Sequence, residues 1–549
     1  MEVSRMKKYS IGIDYGTLSA RAILIDLATG LETAVSEFVY PHAVMDTRLP
    51  DGTLLENNSA LQHPADYLDA LSHTIGELLK KSGADAGDIV GLGIDFTSCT
   101  VLPITKDGTP LCFLEEFKSE PNAYVKLWKH HGANAEAELI TALAKESGEA
   151  WLDSYGGKVS SEWLLPKILE TYNKAPQVYH RAAEFIEAAD WLVLLLTDNN
   201  VRSSCMAGYK AMWNAGTGYP SPEFLGKINA DFAHIIGDKI SENVLPTGSK
   251  AGVISETGAR LTGLRPGTAV AVPIIDAHAS LPASGIVDAG KLMLIIGTSG
   301  CHIVMGEVDT AVPGICGSVQ DGIIPGYTAY EAGQSCVGDS FDWFVKNCVP
   351  ARYEAEAKEQ GISTFALLQK KAQELKVGES GLLALDWWNG NRTPYADYDL
   401  TGAIFGLTLQ TKPEEIFRAL IESTAYGTKA IVDLYNRHGV PISEIYAAGG
   451  ISQKNSLLMQ IYADVLGQEI IVPRSSQSGA LGSALFGSVA GGYFDTMKEA
   501  ADALIHFETV TYKPVPENHE KYCRLYQEYA KLSAYFAEGQ NDVLKRLKL

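Results

Sequence analysis

The stretch "IGIDYGTLSARAILID" (residues 11–26) sets one acid, Asp14, in an apolar strand-like run just ahead of Gly16, Thr17 and Ser19. A Gly-Thr turn exposes backbone N–H groups and a hydroxyl, which are donors suited to phosphate oxygens. Arg21 adds either charge at that turn or an ion on the outer face of the hairpin. Asp14 cannot touch a phosphate directly, because two anions repel. It makes chemical sense there if a divalent cation lies between them, held through oxygen ligands or their waters. The plainer alternative is a carboxylate that caps its own turn.

A second turn of the same kind, without the acid, lies in "IIGTSG" (295–300), where Gly297 and Thr298 repeat the pattern. Two such turns facing each other across a cleft would clamp the phosphates of a nucleotide. Neither matches G-x-x-x-x-G-K-[ST], and "GISQKN" (450–455) lacks G-x-G-x-x-G, so the P-loop and dinucleotide classes are disfavoured. Between the turns, "AVPIIDAHASLPASGIV" (271–287) ends an apolar strand on Asp276. A carboxylate there is placed to take the proton of an attacking hydroxyl, which is worth about 10²–10⁴ in rate. The alternative is a helix N-cap ahead of Ala277. His278 reads as a packed or hydrogen-bonded imidazole rather than a ligand.

Strand-like runs alternate with helical patterns along the chain, as α/β architecture requires. "YSIGIDYG", "ARAILIDL", "AVSEFVYP" and "IVGLGIDF" are short, β-branched and bounded by glycine, and predict strands. Tyr67, Leu68, Leu71, Ile75, Leu78 and Leu79 recur at helical spacing up to a C-cap at Gly83. A long middle section, 134–197, predicts a mainly helical insertion that shapes a pocket. The second half opens on "KLMLIIGTSGCHIVM" (291–305), again strand, Gly-Thr, small residue, strand. That repetition predicts a duplicated α/β domain, divided as 1–284 and 285–549; two independent glycine hairpins are the alternative. Further on, 414–439 predicts an amphipathic helix stopped at Gly439, and 444–473 a strand, glycine turn, helix and strand. Tyr522, Leu525, Tyr526, Tyr529, Leu532 and Phe536 share one face of a final docking helix.

At 549 residues the chain exceeds the size at which one core stops growing. Its 46% hydrophobic and 20% charged residues are ordinary globular composition. A net charge of −21 and a pI of about 5.0 repel nucleic acid and acidic membrane. The eight cysteines contain no C-x-x-C pair and predict reduced thiols rather than a zinc site. The apolar run "WLVLLLT" (191–197) is too short to span a bilayer, and the start "MEVSRMKKYS" carries no apolar signal core, so the expected location is cytoplasmic.

In this order and spacing the motifs resemble those of the FGGY carbohydrate kinases, within the actin-like ATPase superfamily, over nearly the whole chain. The resemblance implies two ribonuclease H-like α/β domains of the actin/hexokinase ATPase type with an interdomain cleft. The stretches "GIDFTSCT" (93–100), "SCMAGYKAMWN" (204–214), "YEAGQSCVGDSFDWF" (330–344) and "LDWWNGNRTPYAD" (385–397) are similar to those of family members acting on L-ribulose. The implied activity is ATP-dependent phosphorylation of L-ribulose to its 5-phosphate, in L-arabinose catabolism. Asp95, Thr97, Ser98, Lys210, Asp276 and Glu331 are implied as sugar contacts, with Asp276 also the base. Gly16, Thr17, Ser19, Arg21, Gly297, Thr298, Gly449, Gly450 and Asn455 are implied at ATP. Asp14 and Asp276 are implied at Mg²⁺ through water.

The implied partners are a small sugar and MgATP, with no nucleic acid and no membrane, and a homodimer is the candidate assembly. A ketopentose is a neutral polyol, and carboxylates with an ammonium supply its acceptors and donors. Trp128, Trp163, Trp213, Trp387 and Trp388 offer either a sugar-stacking wall or core aromatics. Asn455 could equally cap the helix that follows it. Two departures from the family pattern touch the adenosine segment: Ala448 stands where a third glycine is usual, and "SQSGALGSALFG" (476–487) lacks an acid common in relatives. The rival readings are a kinase of the same family for xylulose, another pentulose or a pentitol, and an actin- or heat-shock-70-type ATP-driven assembly or chaperone protein.

Overall fold

The computed structural model describes residues 7–474, 478–506 and 508–547. The predicted first hairpin forms as Tyr9–Tyr15 antiparallel to Ser19–Asp26, and Tyr9–Tyr15 also pairs in parallel with Ile89–Phe96. Ser19–Asp26 continues to Glu32–Val39 at one edge, while Ala269–Ala271 and then Lys250–Val253 follow Ile89–Phe96 on the other side. The short strand Ile274–Ile275 also pairs with Ile89–Phe96. The helix Pro64–Ser82 covers one face of this sheet and ends on Gly83 in the left-handed region (φ 67°), as its spacing predicts.

The second sheet repeats the plan. Lys291–Ile296 is antiparallel to Gly300–Gly306 across a three-residue turn and parallel to Glu444–Ala448 on its other side. Strand alternation gives its two faces different partners. Leu292, Leu294, Ile296, Val304, Tyr330 and Ala332 pack with the helices Pro413–Arg437, Ser456–Leu466 and Pro516–Ala537. Met293, Ile303, Met305 and Ala329 belong instead to the core of the first sheet. Because Ile303 lies opposite Glu331 in the Thr328–Gln334 strand, Glu331 points toward the first half of the chain.

The helix Ser478–Ala490 follows the second sheet in sequence yet lies on the first. Gly12, Gly91 and Gly93 leave it room: a methyl group on Gly12 would come 1.8 Å from the Ala480 carbonyl oxygen, and one on Gly93 1.9 Å from that of Ser483. Gly482 approaches the carbonyl of Ala279 as closely, in the helix Asp276–Ala283. The middle insertion is helix-rich as predicted, with Asn134–Ser147, Leu164–Lys174 and Ala188–Thr197, although Glu184–Glu187 is a strand. Residues 191–197 lie in the largely buried helix Ala188–Thr197. Among the described residues, no helix is long and apolar enough to cross a membrane.

Candidate active site

Three carboxylates stand at the carboxyl ends of three adjacent strands. Asp14 and Asp95 are register partners in the parallel pair Tyr9–Tyr15 and Ile89–Phe96. Ile274 is opposite Asp95, so Asp276 follows just beyond the next strand. Asp95 is fully enclosed: Ser483 Oγ donates to its Oδ2 at 2.6 Å, and its Oδ1 has no donor among the described residues. A methyl group on Gly479 would lie 3.0 Å from Asp14 Oδ2 and 3.1 Å from Asp95 Oδ1, so both oxygens converge on that bare backbone. Burial and the Asp14 charge push Asp95 well above the carboxylate range, and burial raises Asp14 as well. Asp276 occupies the first helical position rather than the cap. Its Oδ1 accepts from the Ala277 N–H at 2.7 Å, while burial, reinforced by Asp14, pushes it up to about 7.

The two Gly-Thr turns have different supports. Gly16 N–H closes the first turn on the Ser19 carbonyl at 3.0 Å. Gln62 Nε2 donates to the Thr17 carbonyl at 2.7 Å, and the indole N–H of Trp128 donates to Thr17 Oγ1 at 3.1 Å. Arg21, opposite Asp14 in register and so on its face of the sheet, bonds exposed Glu37 at 3.1 Å, and Ser19 bonds the same carboxylate at 3.0 Å. In the second turn Thr298 is exposed. Gly338 N–H and Val337 N–H donate to the carbonyls of Gly297 and Thr298, at 3.0 and 2.8 Å.

Lys210 and Glu331 come from opposite halves of the chain and face each other electrostatically. Burial alone would raise Glu331, but Lys210, a hydrogen bond from His278 and Arg392 outweigh it and hold the carboxyl at about 2. Burial likewise opposes the charge of Lys210, and Glu331 with Glu162 outweighs it, keeping the ammonium above its ordinary value. His278 is buried and hydrogen-bonded, as its context predicts. Thr97 is buried, with its hydroxyl 2.8 Å from that of Thr100; Ser98 beside it is half-buried.

The adenosine segment divides cleanly. Gly449 has φ 95°, and a methyl group there would meet the Ile296 carbonyl at 2.4 Å, so the turn requires glycine. Gly450 faces open space. Asn455 Oδ1 accepts from the Leu458 N–H at 3.0 Å as a cap, while its buried Nδ2 has no acceptor among the described residues. Ser476 and Gln477 of the departing segment lie outside the described residues.

Several residues here were not singled out in the sequence. Buried Lys167 donates to the carbonyls of Cys99 and Leu127, at 2.6 and 2.9 Å, joining the turn that carries Thr97 and Ser98 to the one that carries Trp128. Arg392 lies over Gly333, whose methyl would meet its Cδ at 3.2 Å. Gly479 and Ser483 reach the acids from a distant helix. Two segments carried a signal, "LDWWNGNRTPYAD" around Arg392 and "SQSGALGSALFG" around Gly479 and Ser483, but neither pointed to these residues or to the acids. Of the five tryptophans, Trp163 and Trp387 are core; Trp128 is 39% exposed beside Thr17.

Two α/β domains, each opening on a hairpin with a Gly-Thr turn, and a row of strand-end acids in the first define an actin/hexokinase-type fold. The fold is that of xylulose kinase from Rhodospirillum rubrum (TM-score 0.81, 24% identity, 96% of this chain and 99% of that one). Glycerol kinase from Plasmodium falciparum, with ADP, shares it as well (TM-score 0.74, 16% identity, 96% and 98%). Residues 9–281 match the N-terminal domain of the FGGY family of carbohydrate kinases and residues 292–491 its C-terminal domain. The chain is 51% identical to a protein named ribulokinase in Bacillus licheniformis, over 97% of each chain. It is 50% identical to one of that name in Halalkalibacterium halodurans, over 98% of this chain and 97% of the other. The chain belongs to the FGGY family of carbohydrate kinases.

Proposed function

We propose that the chain transfers the γ-phosphoryl group of ATP to the C5 hydroxyl of L-ribulose, as a cytoplasmic enzyme of L-arabinose breakdown. The observation that carries this reading is that His278, two residues on from Asp276 in the same helix, holds Glu331 of the other half at 3.1 Å, with the Lys210 ammonium acting on both carboxylates. A neutral polyol needs both donors and acceptors, and this group supplies them. Half-identity to proteins named ribulokinase over nearly the whole chain supports the choice of sugar.

In this reading residues 1–284 supply the sugar pocket and the first phosphate turn, and residues 285–549 hold the nucleotide. Lys210, Glu331, Thr97 and Ser98 orient the sugar so that its C5 hydroxyl meets Asp276. Asp276 takes the hydroxyl proton as the oxygen bonds to the γ-phosphorus and the bond to the ADP oxygen breaks. The turns at Gly16–Thr17 and Gly297–Thr298 cradle the phosphates with N–H and hydroxyl donors. Asn455 Nδ2 and the open backbone at Gly450 receive the nucleoside. The hard oxygen donors of Asp14, with the donor-free Asp95 Oδ1 beside them, suit a hydrated Mg²⁺. Asp14 and Asp276 would hold the ion through water, and when bound it supplies charge neutralisation at the phosphates. Asp95, enclosed behind Asp14, supports that acid, and its contact with the sugar is the least direct of the set.

The test is phosphorus NMR of L-ribulose incubated with MgATP and the enzyme. A phosphomonoester at C5 matched by ADP is expected; no ester, or an ester at another carbon, contradicts the reading.

A further inference from the structure

His278 is completely buried, yet both of its ring nitrogens have polar partners. Nε2 lies 3.1 Å from Glu331 Oε2, and Nδ1 lies 3.1 Å from Cys205 Sγ. The three residues belong to three different elements: Cys205 to the helix Ser204–Lys210, His278 to Asp276–Ala283 and Glu331 to the strand Thr328–Gln334. Each of those elements also carries a residue of the site or is itself part of it. Lys210 ends the first, Asp276 begins the second, and Glu331 lies in the third.

For a neutral imidazole the chemistry leaves one arrangement of hydrogens. An ionised carboxylate only accepts, so Nε2 must carry the hydrogen that points at Glu331; the other tautomer would set a lone pair against the carboxylate. Nδ1 is then an acceptor and needs a donor. Cys205 provides one, because burial pushes its thiol far above the ordinary range and the sulfur keeps its hydrogen. The ring of Tyr209, with its centroid 4.5 Å from that of His278, packs against the imidazole, and its hydroxyl bonds the Ala329 carbonyl two residues before Glu331. With Oε2 taken by His278, Oε1 of Glu331 is left for a donor in the cleft.

We propose that Cys205, His278 and Glu331 form a hydrogen-bond relay in which His278 is the positioning residue that aims the Glu331 carboxylate at the sugar, Cys205 fixing its tautomer. The relay rests on the sugar-pocket reading of Glu331. It binds the helix that carries the base to a strand of the other domain, so orientation of the sugar and of Asp276 is set together.

The test is a mutant cycle with L-ribulose and MgATP. His278→Leu should lower kcat/KM for the sugar about tenfold, mainly through KM, with KM for ATP unchanged. His278→Gln places an amide N–H where Nε2–H was and should recover activity to within about threefold of wild type. The His278→Leu/Glu331→Gln double variant should be no worse than Glu331→Gln, because both changes remove one interaction. Losses that multiply, or a Gln variant as poor as the Leu variant, overturn the relay. If Glu331→Gln alone costs nothing, the pocket reading itself fails. Should His278→Leu not fold, the Cys205 pair gives the same answer: Cys205→Ser keeps a donor and should leave the sugar KM near wild type, whereas Cys205→Val should raise it severalfold. Equal behaviour of that pair also overturns the relay.

Discussion

Asp276 is held in a state suited to a base. Its carboxyl, ordinarily ionising at 3.8, is pushed up to about 7 by burial and then by Asp14, while the Ala277 N–H fixes one oxygen. Asp276→Asn keeps that hydrogen-bond acceptor but cannot accept the substrate proton. Turnover should drop at least about a hundredfold in a coupled assay with nucleotide affinity nearly intact, and near-normal turnover would reduce Asp276 to a helix-opening residue. In the wild type, kcat/KM should fall as pH drops below about 7, because only the ionised form takes the proton. Stability runs the other way. Between 3.8 and about 7 the folded chain keeps a proton that the unfolded chain has lost, so the favourable contribution is full below 3.8 and is lost as pH rises through about 7. In magnesium-free buffer above about pH 8, Asp276→Asn should therefore have a higher Tm than wild type. A lower or equal Tm would show that the carboxylate is not strained there.

At the scale of elements, the helix Ser478–Ala490 makes the carboxylate site possible by lying almost backbone to backbone on the first sheet. A methyl group on Gly93 would meet the Ser483 carbonyl at 1.9 Å and must displace the helix whose Ser483 hydroxyl bonds Asp95. Gly93→Ala should cost about 2–4 kcal/mol in denaturant unfolding and depress turnover with it; an unchanged midpoint would mean that the helix is free to move. Both hairpins were legible in the sequence, because a Gly-Thr pair between β-branched runs leaves few alternatives. So were the cap at Gly83 and the aromatic face of the helix Pro516–Ala537. The docking of Ser478–Ala490 was not: a run of Gly, Ala and Ser reads as an ordinary buried helix, and nothing local says that its partners are Gly12, Gly91 and Gly93. The enclosed setting of Asp95 and the Glu37 pairing of Arg21 were hidden for the same reason, since both depend on strand register. Lys210 and Glu331 were found through family resemblance, whereas Lys167, Arg392 and Cys205 carry no local signal that separates them from buried or surface residues.

Across the whole molecule, the proposed chemistry is divided so that neither half would be sufficient. The first half would contribute Asp14, Asp276 and the turn at Thr17; the second would contribute Glu331, the turn at Thr298 and the helix-capping Asn455. Phosphoryl transfer under this arrangement depends on positioning and charge more than on any single group. Closure of the two halves on the sugar would exclude water that could otherwise accept the phosphoryl group. The pocket's donors and acceptors are charged and partly buried, so a sugar that fails to satisfy them leaves a group unpaired, which costs about 1–3 kcal/mol per group. Selectivity among ketopentoses should therefore be substantial. The most direct measurement is kcat/KM, from ADP release, for L-ribulose against D-xylulose, ribitol and glycerol under the same MgATP. L-Ribulose should exceed D-xylulose and glycerol by at least about tenfold. A higher kcat/KM for D-xylulose or glycerol, or ADP release indifferent to the sugar supplied, would contradict the account.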